Sequence, residues 1–556
     1  MVTLQQVLDA EPDRYLRASV AWNELADGLD AGADAMMPKL ARLTEAWEEG
    51  PASAAGLTRY DNLRKELAGH YPALVGMSQQ LSRFGEALRR LRNQTLDLVD
   101  RGRAVGITRD SAGAWVVTKD PQSPVQVENL RKIRAEEDDI VRAAQDLDGD
   151  VARRIATLGP PPPGTTAFVP KDSIPAKGTD PKLVAAWWNG LTPLEQQYVQ
   201  TEYPELIGAL DGVPSAARDI ANRIVLDNEL DRYNARRQEI ADRLSYLEAM
   251  HKQGRLGEVY PNAGNPLGAY MMELRVLTGQ KADVDGKLKG LNGINNRLDS
   301  SDTTLPRGYL LGLDTSGDGK AIVAMGDPDG ADNVFTYIPG TQTELSWAPG
   351  EIRRTDVMVR DANVTDRTHQ TVGIWWLGYD APDQVVPNAI SDSYAEAGAP
   401  DLRRFQDGLR VTHDTGSPSH NTVVGHSYGS TVAGQAASES AGLDADELIL
   451  VGSPGVEVDQ ASDLNINGNP ADHVWATTAR NDPIQHAGWD DNLVHGENPA
   501  GKGFGGRVFT SDPGTPQFTW EDGFNFVDAH LDYWEDGNPA RTNMANIITG
   551  RPEQVS

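Results

Sequence analysis

Apolar side chains recur at helical spacing through most of the first 300 residues. Leu4, Val7 and Leu8 begin one stripe that continues to Leu29, and a second stripe runs from Leu63 to Leu91. This spacing places the apolar side chains on one face of an α-helix. The pattern predicts a hairpin of two long helices with its turn at 47–51, followed by further helices. The predicted helices span about 4–46, 52–100, 125–158, 182–189, 215–253 and 268–288.

Two segments interrupt these helices. Residues 105–118 alternate around a turn and predict a small β-hairpin. Residues 159–181 begin Gly-Pro-Pro-Pro-Pro-Gly and predict a Pro-rich linker, because consecutive prolines cannot continue a helix. After the linker, Thr192 is placed to cap a helix that has Pro193 in its first turn. The predicted units are a helical region with the β-hairpin (1–158), the linker (159–181) and a second helical region (182–300).

From about Leu305 the pattern changes to short apolar runs separated by Gly, Asp and Pro. Several runs are apolar at every position, as expected for strands buried on both faces of a parallel sheet. Helical segments at 388–397, 400–412 and 430–441 fall between some of them, which predicts an α/β domain over 301–556. The predicted strands are 309–313, 321–325, 334–338, 372–377, 422–425, 447–451 and 474–478.

One run in this part carries chemistry. Gly425-His426-Ser427-Tyr428-Gly429 reads Gly-x-Ser-x-Gly, directly after an apolar strand and directly before a helix of small residues. This context is typical of the nucleophile elbow, in which a sharp turn raises one serine hydroxyl above the sheet. The two glycines avoid collisions with the neighbouring strand and helix. We therefore predict an α/β-hydrolase fold with a mostly parallel sheet, preceded by a long all-α region, and Ser427 as its nucleophile.

A serine nucleophile needs a base, and the base needs an orienting carboxylate. In α/β-hydrolases the acid and then the histidine follow the serine along the chain. Asp482 comes just after a predicted strand, on the same sheet edge as the elbow, and His530 lies late in the chain. These residues are our predicted acid and base. The competing acids are Glu457, Asp490 and Asp491, and the competing bases are His486 and His495.

An oxyanion hole needs two backbone N–H groups directed at the developing negative charge. The first is predicted to be the N–H of Tyr428, the residue after the nucleophile. The second should come from a loop that follows an earlier strand. Pro339-Gly340-Thr341 fits this description, so we choose the N–H of Thr341, with Gly340 allowing the close approach. His426 adjoins the serine, but its side chain is expected to point elsewhere in the turn.

Composition excludes several classes of site. The chain contains no cysteine, which rules out disulfides and thiolate chemistry. Asp314–Gly319 is similar to the start of a calcium loop, but Met325 stands where an EF-hand has its glutamate, so a β-hairpin turn is predicted. We predict no metal and no cofactor. Trp187-Trp188 and Trp375-Trp376 are interpreted as core.

Charge and hydropathy limit the partners. The net charge is -30, and residues 301–556 alone have a net charge of -24, which disfavours nucleic acid and anionic lipid as partners of that part. No apolar run is long enough to cross a membrane, and no Sec signal peptide is predicted. We expect a cytoplasmic protein, or one exported without such a signal. The helical region is a possible site for a protein partner or for self-association.

The motifs resemble, in order, those of an actinobacterial α/β-hydrolase family of uncharacterised function. The resemblance covers about 183–535 and implies the same triad of Ser427, Asp482 and His530. More weakly, the first hairpin resembles the Trp-x-Gly hairpins of type VII secretion substrates, with Trp47-Glu48-Glu49-Gly50 one residue longer. The motifs are Tyr337-Ile338-Pro339-Gly340-Thr341, Trp376-Leu377-Gly378-Tyr379-Asp380, Gly425-His426-Ser427-Tyr428-Gly429, Asn481-Asp482-Pro483-Ile484 and His530-Leu531-Asp532-Tyr533-Trp534.

Together these features predict a serine hydrolase that cleaves carboxylic esters, with a small-molecule or lipid ester as substrate. The alternative is a secreted or interaction protein. In that case the helical region would bind a partner, and the hydrolase-like domain would have little or no activity.

Overall fold

The computed structural model describes most of the chain. The described residues are 2–36, 57, 59–60, 63–64, 69–110, 113–119, 123–158, 168–383, 391–486, 495–516, 518–519, 523–524 and 528–556. The predicted turn at 47–51 and the first part of the predicted linker lie outside these residues.

Long helices dominate the first part, as predicted. The predicted first helix is split at Pro12, because proline fits the first turn of a helix but cannot continue one. The predicted β-hairpin is confirmed as two antiparallel strands that pair Ile107 with Val117. The elements are α1 (Leu4–Leu8), α2 (Pro12–Asp34), α3 (Tyr71–Ala104), β1 (Ile107–Arg109), β2 (Trp115–Val117) and α4 (Pro124–Thr157).

The second helical region ends in two long antiparallel helices. Thr192 caps its helix as predicted, and it exchanges reciprocal hydrogen bonds with Glu195 in a capping box. The last helix continues ten residues past its predicted end at 288 and finishes at Leu298. The elements are α5 (Pro181–Gly190), α6 (Pro193–Glu202), α7 (Pro204–Gly208), α8 (Ser215–Lys252), α9 (Leu256–Val259) and α10 (Pro266–Leu298).

The C-terminal part is built on an eight-stranded sheet in the order β10-β9-β8-β7-β5-β6-β4-β3. Strand β4 is antiparallel to both of its neighbours, β3 and β6, and the remaining pairs are parallel. The fold is thus a mostly parallel sheet preceded by a long helical region, as predicted, and the small β1–β2 hairpin is the one departure from all-α structure in the described residues of that region. The strands are β3 (Gly308–Asp314), β4 (Lys320–Met325), β5 (Asn333–Ile338), β6 (Thr371–Leu377), β7 (His420–His426), β8 (Glu447–Val451), β9 (Val474–Thr477) and β10 (Arg507–Val508), with a separate pair β11 (Phe518–Thr519) and β12 (Gly523–Phe524).

Helices cover the faces of this sheet. The two helices predicted at 388–397 and 400–412 form a single helix within the described residues, which continues through Pro400. Ala399 and Leu402, on either side of Pro400, are both buried in the core, so the helix packs against the sheet before and after the proline. Trp375 and Trp376 are buried as predicted. The helices are α11 (Ala348–Thr365), α12 (Ser393–Thr412), α13 (Tyr428–Ser438), α14 (Pro470–His473), α15 (Asp528–Leu531) and α16 (Pro539–Ile548).

The register of the strands defines two edges of the sheet. Ile338 at the end of β5 pairs with Gly425 of β7, and His426 pairs with Val451 at the end of β8. We call this the carboxyl edge. Because β4 runs antiparallel to β6, with Ala321 opposite Leu377, the turn between β3 and β4 also lies at the carboxyl edge.

Helix α3 packs against the opposite, amino edge. Arg90 forms an ion pair with Asp332, which precedes β5, at 2.5 Å between Nη1 and Oδ2. The side-chain amide of Gln94 donates to the carbonyl of Thr368, just before β6, at 2.9 Å. This helix therefore lies on the far side of the sheet from the elbow. Within the described residues no helix is both long and apolar enough to span a bilayer.

Candidate active site

Ser427 lies in a strained turn between β7 and α13. Its backbone has φ 53° and ψ -130°, and a positive φ is costly for any residue that has a Cβ. The Ser427 N–H donates to the carbonyl of Val451 at 3.0 Å, which ties the turn to the end of β8. The turn thus holds the predicted nucleophile at the carboxyl edge, where Ser427 is buried, with 8% of the residue exposed.

The glycines of the elbow are required by close backbone contacts. A Cβ added to Gly425 would lie 2.5 Å from Cα of Ser430, and one added to Gly429 would lie 2.3 Å from the carbonyl oxygen of Ile338. Both distances are far below van der Waals contact. The predicted steric role of these two glycines therefore has a direct geometric basis.

Asp482 and His530 lie together, as the predicted triad requires. His530 Nδ1 is 2.9 Å from Asp482 Oδ2 and 3.0 Å from Oδ1. The carboxyl group is fully buried and also accepts a hydrogen bond from the N–H of Ile484 at 2.9 Å. Because an ionised carboxylate only accepts, the proton of the neutral imidazole belongs on Nδ1. Nε2 then carries the lone pair that a general base needs.

Tyr533 is a third partner of this carboxylate that the sequence prediction missed. Its hydroxyl donates to Asp482 Oδ2 at 2.6 Å and accepts from the N–H of Ala479 at 2.9 Å. Burial raises the pKa of Tyr533 far above its ordinary value, and the charge of Asp482 raises it further. The hydroxyl therefore stays protonated and remains a donor. The partner Asp482 lies 51 residues earlier in the chain, so no local sequence pattern signalled this contact.

His426 holds the backbone of His530. Its Nε2 lies 2.9 Å from the carbonyl oxygen of His530, and the two rings are 4.7 Å apart. Since a carbonyl only accepts, His426 carries its proton on Nε2. Burial lowers the pKa of His426 well below its ordinary value, and the nearby His530 lowers it further. A neutral His426 thus steadies the residue predicted to be the base.

The pair of Asp482 and His530 lies beside Gly452, at the end of β8 to which the turn of Ser427 is tied. A Cβ added to Gly452 would lie 3.2 Å from His530 Nδ1 and 3.0 Å from Asp482 Oδ2. Gly452 directly follows Val451, which accepts the hydrogen bond from Ser427. Within the described residues, however, no hydrogen bond joins Ser427 Oγ to His530. Catalytic hydrogen bonds of this kind are often long in unliganded enzymes and shorten when substrate binds.

Two of the competing residues pair with each other. His495 Nδ1 lies 2.5 Å from Glu457 Oε1, and the His495 ring packs edge-on against the ring of Tyr428 at 5.7 Å. The His495–Glu457 pair therefore packs against Tyr428 of the elbow. Asp482 is bound to a different histidine, His530. The competing acids at 490 and 491 lie outside the described residues, as does the side chain of His486.

The two predicted oxyanion donors have no acceptor within the part of the chain that is described. Tyr428 is the first residue of α13, where backbone N–H groups have no partner inside the helix. Thr341 follows Gly340, whose added Cβ would lie 2.5 Å from Cβ and 3.0 Å from Oγ of Ser427. The predicted oxyanion loop thus passes directly beside the serine side chain.

Two hydrogen bonds fix the loop that carries Thr341. The hydroxyl of Tyr379 donates to the carbonyl of Pro339 at 2.7 Å, and the N–H of Gln342 donates to the carbonyl of Pro382 at 2.8 Å. Gln342 has φ 67°, so the strained residue of this turn is not its glycine. The sequence prediction identified Gly340 and Thr341 but gave no role to Tyr379 or Gln342.

A metal site finds no support in the described residues, which contain no group of three or more histidines, aspartates or glutamates able to hold an ion. Asp314 instead accepts hydrogen bonds from the backbone and hydroxyl of Ser316. This turn joins the antiparallel strands β3 and β4, as predicted.

Comparison with known proteins identifies the domain. Residues 314–489 match a family described as Alpha/beta hydrolase. The chain therefore contains an α/β-hydrolase domain, in agreement with the predicted fold class.

The chain also resembles uncharacterised mycobacterial proteins. One from Mycobacterium tuberculosis is 30% identical over 408 residues, which are 69% of this chain and 58% of the relative. One from Mycobacterium bovis is 33% identical over 171 residues, which are 29% of this chain and 63% of the relative. The matches thus span less than two thirds of the length of either relative. They support the predicted resemblance to an uncharacterised actinobacterial hydrolase family.

Proposed function

We propose that the protein is a serine hydrolase that cleaves carboxylic esters through an acyl-enzyme on Ser427. The observation that carries the proposal is the fully buried carboxylate of Asp482, bound to the half-buried His530 at 2.9 Å, beside a serine in a strained elbow. This set of side chains provides a nucleophile, a base and an orienting acid in the chain order of α/β-hydrolases. An ester is preferred to an amide by analogy with the fold.

In the proposed first half of the reaction, His530 Nε2 takes the proton of Ser427 while Oγ attacks the ester carbonyl carbon. Negative charge forms on the carbonyl oxygen, and the N–H groups of Tyr428 and Thr341 donate to it. The tetrahedral intermediate then expels the alkoxide, which leaves as an alcohol with the proton from His530. The acyl group remains on Ser427.

In the second half, water replaces the alcohol. His530 removes a proton from the water, the resulting oxygen attacks the acyl carbon, and Ser427 Oγ leaves and regains a proton. Asp482 keeps Nδ1 protonated and stabilises the imidazolium formed in each half. The products are a carboxylic acid and an alcohol, and every proton is carried by this triad, by water or by product.

A fluorophosphonate probe tests the proposed nucleophile, because it phosphonylates only an activated serine. We expect the full-length protein to be labelled at Ser427, as read by mass spectrometry of the labelled peptide, and Ser427→Ala to remain unlabelled. Ser430→Ala serves as the matched control, since this neighbouring hydroxyl contacts Ser453 and backbone rather than His530. Absence of labelling, or labelling that persists in Ser427→Ala, would overturn the proposal.

The oxyanion loop gives a second test. Gly340→Ala is expected to lower kcat for a p-nitrophenyl ester by about 100-fold, because the new methyl group must displace Ser427 or the loop and a misplacement of about 1 Å costs that much. Gly350→Ala is the control, since a Cβ there has nothing within 4 Å. Thermal unfolding of both variants should establish that each is folded. Equal kcat for Gly340→Ala and the wild-type protein would contradict the assigned loop.

A further inference from the structure

Helix α11 carries a buried cation whose contacts reach the candidate site. The side chain of Arg354 is 17% exposed, and its Nη1 donates to both carboxylate oxygens of Glu351 at 2.7 and 2.9 Å. The same nitrogen donates to the hydroxyl of Tyr337 at 2.9 Å. The side chain of Glu351 is 6% exposed, and Tyr337 is fully buried. The guanidinium is therefore held from two sides, by its own helix and by β5.

This guanidinium lies over the indole ring of Trp534. Its Cζ is 4.4 Å from the ring centroid, and 8% of Trp534 is exposed. A cation is attracted to the face of an indole, and the attraction is stronger where water is excluded. The rings of Tyr337 and Trp534 also pack edge-on, with 5.7 Å between their centroids. Because Trp534 follows the proposed base His530 by four residues, these contacts orient a side chain of the same segment.

Within the described residues, no hydrogen bond fixes the indole ring of Trp534, because its N–H has no acceptor there. A buried indole N–H usually finds a partner that sets the orientation of the ring. Here the orientation depends on the guanidinium over the ring and on the neighbouring rings. Removing the guanidinium therefore removes a main constraint on Trp534.

The ring of His426 connects Trp534 to the proposed base. It stands edge-on to the indole, with centroids 4.8 Å apart and an angle of 88° between the planes. Its Nε2–H donates to the carbonyl of His530 at 2.9 Å. His426 is 4% exposed, and a ring packed this closely has no space into which it can turn. A shift of the indole is therefore passed to the backbone of His530.

We propose that Arg354 is a positioning residue for the base: it sets where His530 stands relative to Ser427. It acts through the rings of Trp534 and His426, and the inference rests on the function proposed above. Within the described residues no hydrogen bond joins Ser427 Oγ to His530, so the approach of the base to the serine depends on the groups packed against it. Arg354 meets neither reacting group itself, because two rings lie between.

Arg354→Lys tests this role with limited disturbance of the fold, because the lysine keeps a positive charge beside the buried carboxylate of Glu351. An ammonium group cannot lie flat on an indole while it donates to a hydroxyl and a carboxylate, so the orientation of Trp534 is lost. We expect kcat for a p-nitrophenyl ester to fall by about 10- to 100-fold with KM little changed, since a misplacement of about 1 Å in a catalytic site can cost about 100-fold.

Arg297→Lys is the matched control. The side chain of Arg297 is 7% exposed and forms the same kind of ion pair with another residue of α11, Asp356, at 2.9 Å. A further hydrogen bond of Arg297 goes to the carbonyl of Pro306, in the segment before β3. We expect this variant to lose as much thermal stability as Arg354→Lys and to keep its kcat.

A double-mutant cycle distinguishes positioning from general destabilisation. His426→Ala removes the ring through which Arg354 acts, so adding Arg354→Lys to it should lower kcat by less than about twofold further. Independent structural effects would instead multiply. Trp534→Leu takes the place of His426→Ala if thermal unfolding shows that the latter variant is not folded.

Hydrogen exchange of the His530 Nδ1–H supplies a readout that needs no hydrolysis. This proton is held by the buried carboxylate of Asp482 and is followed by NMR of protein with isotope-labelled histidine. We expect it to exchange about tenfold faster in Arg354→Lys, because looser packing opens the site locally, and at the wild-type rate in Arg297→Lys. Neither the substrate nor the nucleophile enters this measurement.

Three results would each overturn the positioning role. They are unchanged exchange in Arg354→Lys, kcat losses that are equal in Arg354→Lys and Arg297→Lys, and losses that multiply in the cycle. The hydrolase proposal is scored separately, by fluorophosphonate labelling of the wild-type protein. A labelled wild type with unchanged exchange in Arg354→Lys contradicts only the positioning role, whereas an unlabelled wild type with faster exchange in the variant contradicts only the hydrolase proposal.

Discussion

Replacing His530 by glutamine is expected to lower kcat for ester hydrolysis by about 10⁶-fold, close to the loss from removing a whole triad. The glutamine amide can still donate to the buried carboxylate of Asp482, so the fold is expected to survive. It cannot take a proton from Ser427, and the serine hydroxyl is a weak nucleophile without a base. The rate is measured with a p-nitrophenyl ester, and thermal unfolding establishes that the variant is folded.

His495→Gln is the matched control for this prediction. Like His530, His495 is bound to a carboxylate, but that carboxylate belongs to Glu457. The His495 ring packs edge-on against Tyr428. Its replacement should therefore leave most of the activity. If His495→Gln loses activity while His530→Gln retains it, the assignment of the base is wrong. If neither variant loses activity, hydrolysis does not use the proposed triad.

Much of the sheet could be predicted because its strands are continuous apolar runs. All seven predicted strands are present, with ends that differ by at most a few residues. The strand Arg507–Val508 was missed because both its residues are exposed and it has no apolar run. Helix α11 was also missed. Its buried face includes Glu351 and Thr355, and polar residues at these positions interrupt the apolar stripe that marks a helix.

The residues of the candidate triad could be chosen from the sequence because chain order restricts the choice once the elbow is identified. The residues that position the triad and the candidate oxyanion loop could not be chosen from the sequence. Tyr533, His426 and Tyr379 act through hydrogen bonds to Asp482, His530 and the oxyanion loop, and no local pattern encodes such pairings. Each is a buried aromatic or imidazole side chain, which sequence alone assigns to the core.

The position of the first helical region was also beyond local reasoning. Arg83 of α3 forms an ion pair with Asp414, 331 residues later, at 2.6 Å. Residues this far apart leave no periodic signal, since only the folded chain brings them together. The ion pair places α3 at the amino edge, away from the elbow. The helical pattern of the sequence gives no information on this position.

The second large effect is expected for Asp482→Asn, which should lower kcat by about 10⁴-fold with little change in the fold. The carboxylate accepts from His530 Nδ1, from Tyr533 and from the N–H of Ile484. An asparagine amide nitrogen would face one of these donors. His530 then avoids the clash by moving its proton to Nε2, and an Nε2–H group cannot accept the proton of Ser427.

Tyr533→Phe is the matched variant, because it removes one donor to Asp482 and keeps the carboxylate. We expect it to lose about tenfold in kcat, far less than Asp482→Asn, since a hydrogen bond to a charged group contributes about 1.5–3 kcal/mol. It should also unfold at a lower temperature, because the buried N–H of Ala479 loses its acceptor. If Asp482→Asn lost no more activity than Tyr533→Phe, the carboxylate would only be filling space beside His530. A loss about a thousand times greater means that the charge of Asp482 sets the tautomer of the base, which is the step that makes Ser427 a nucleophile.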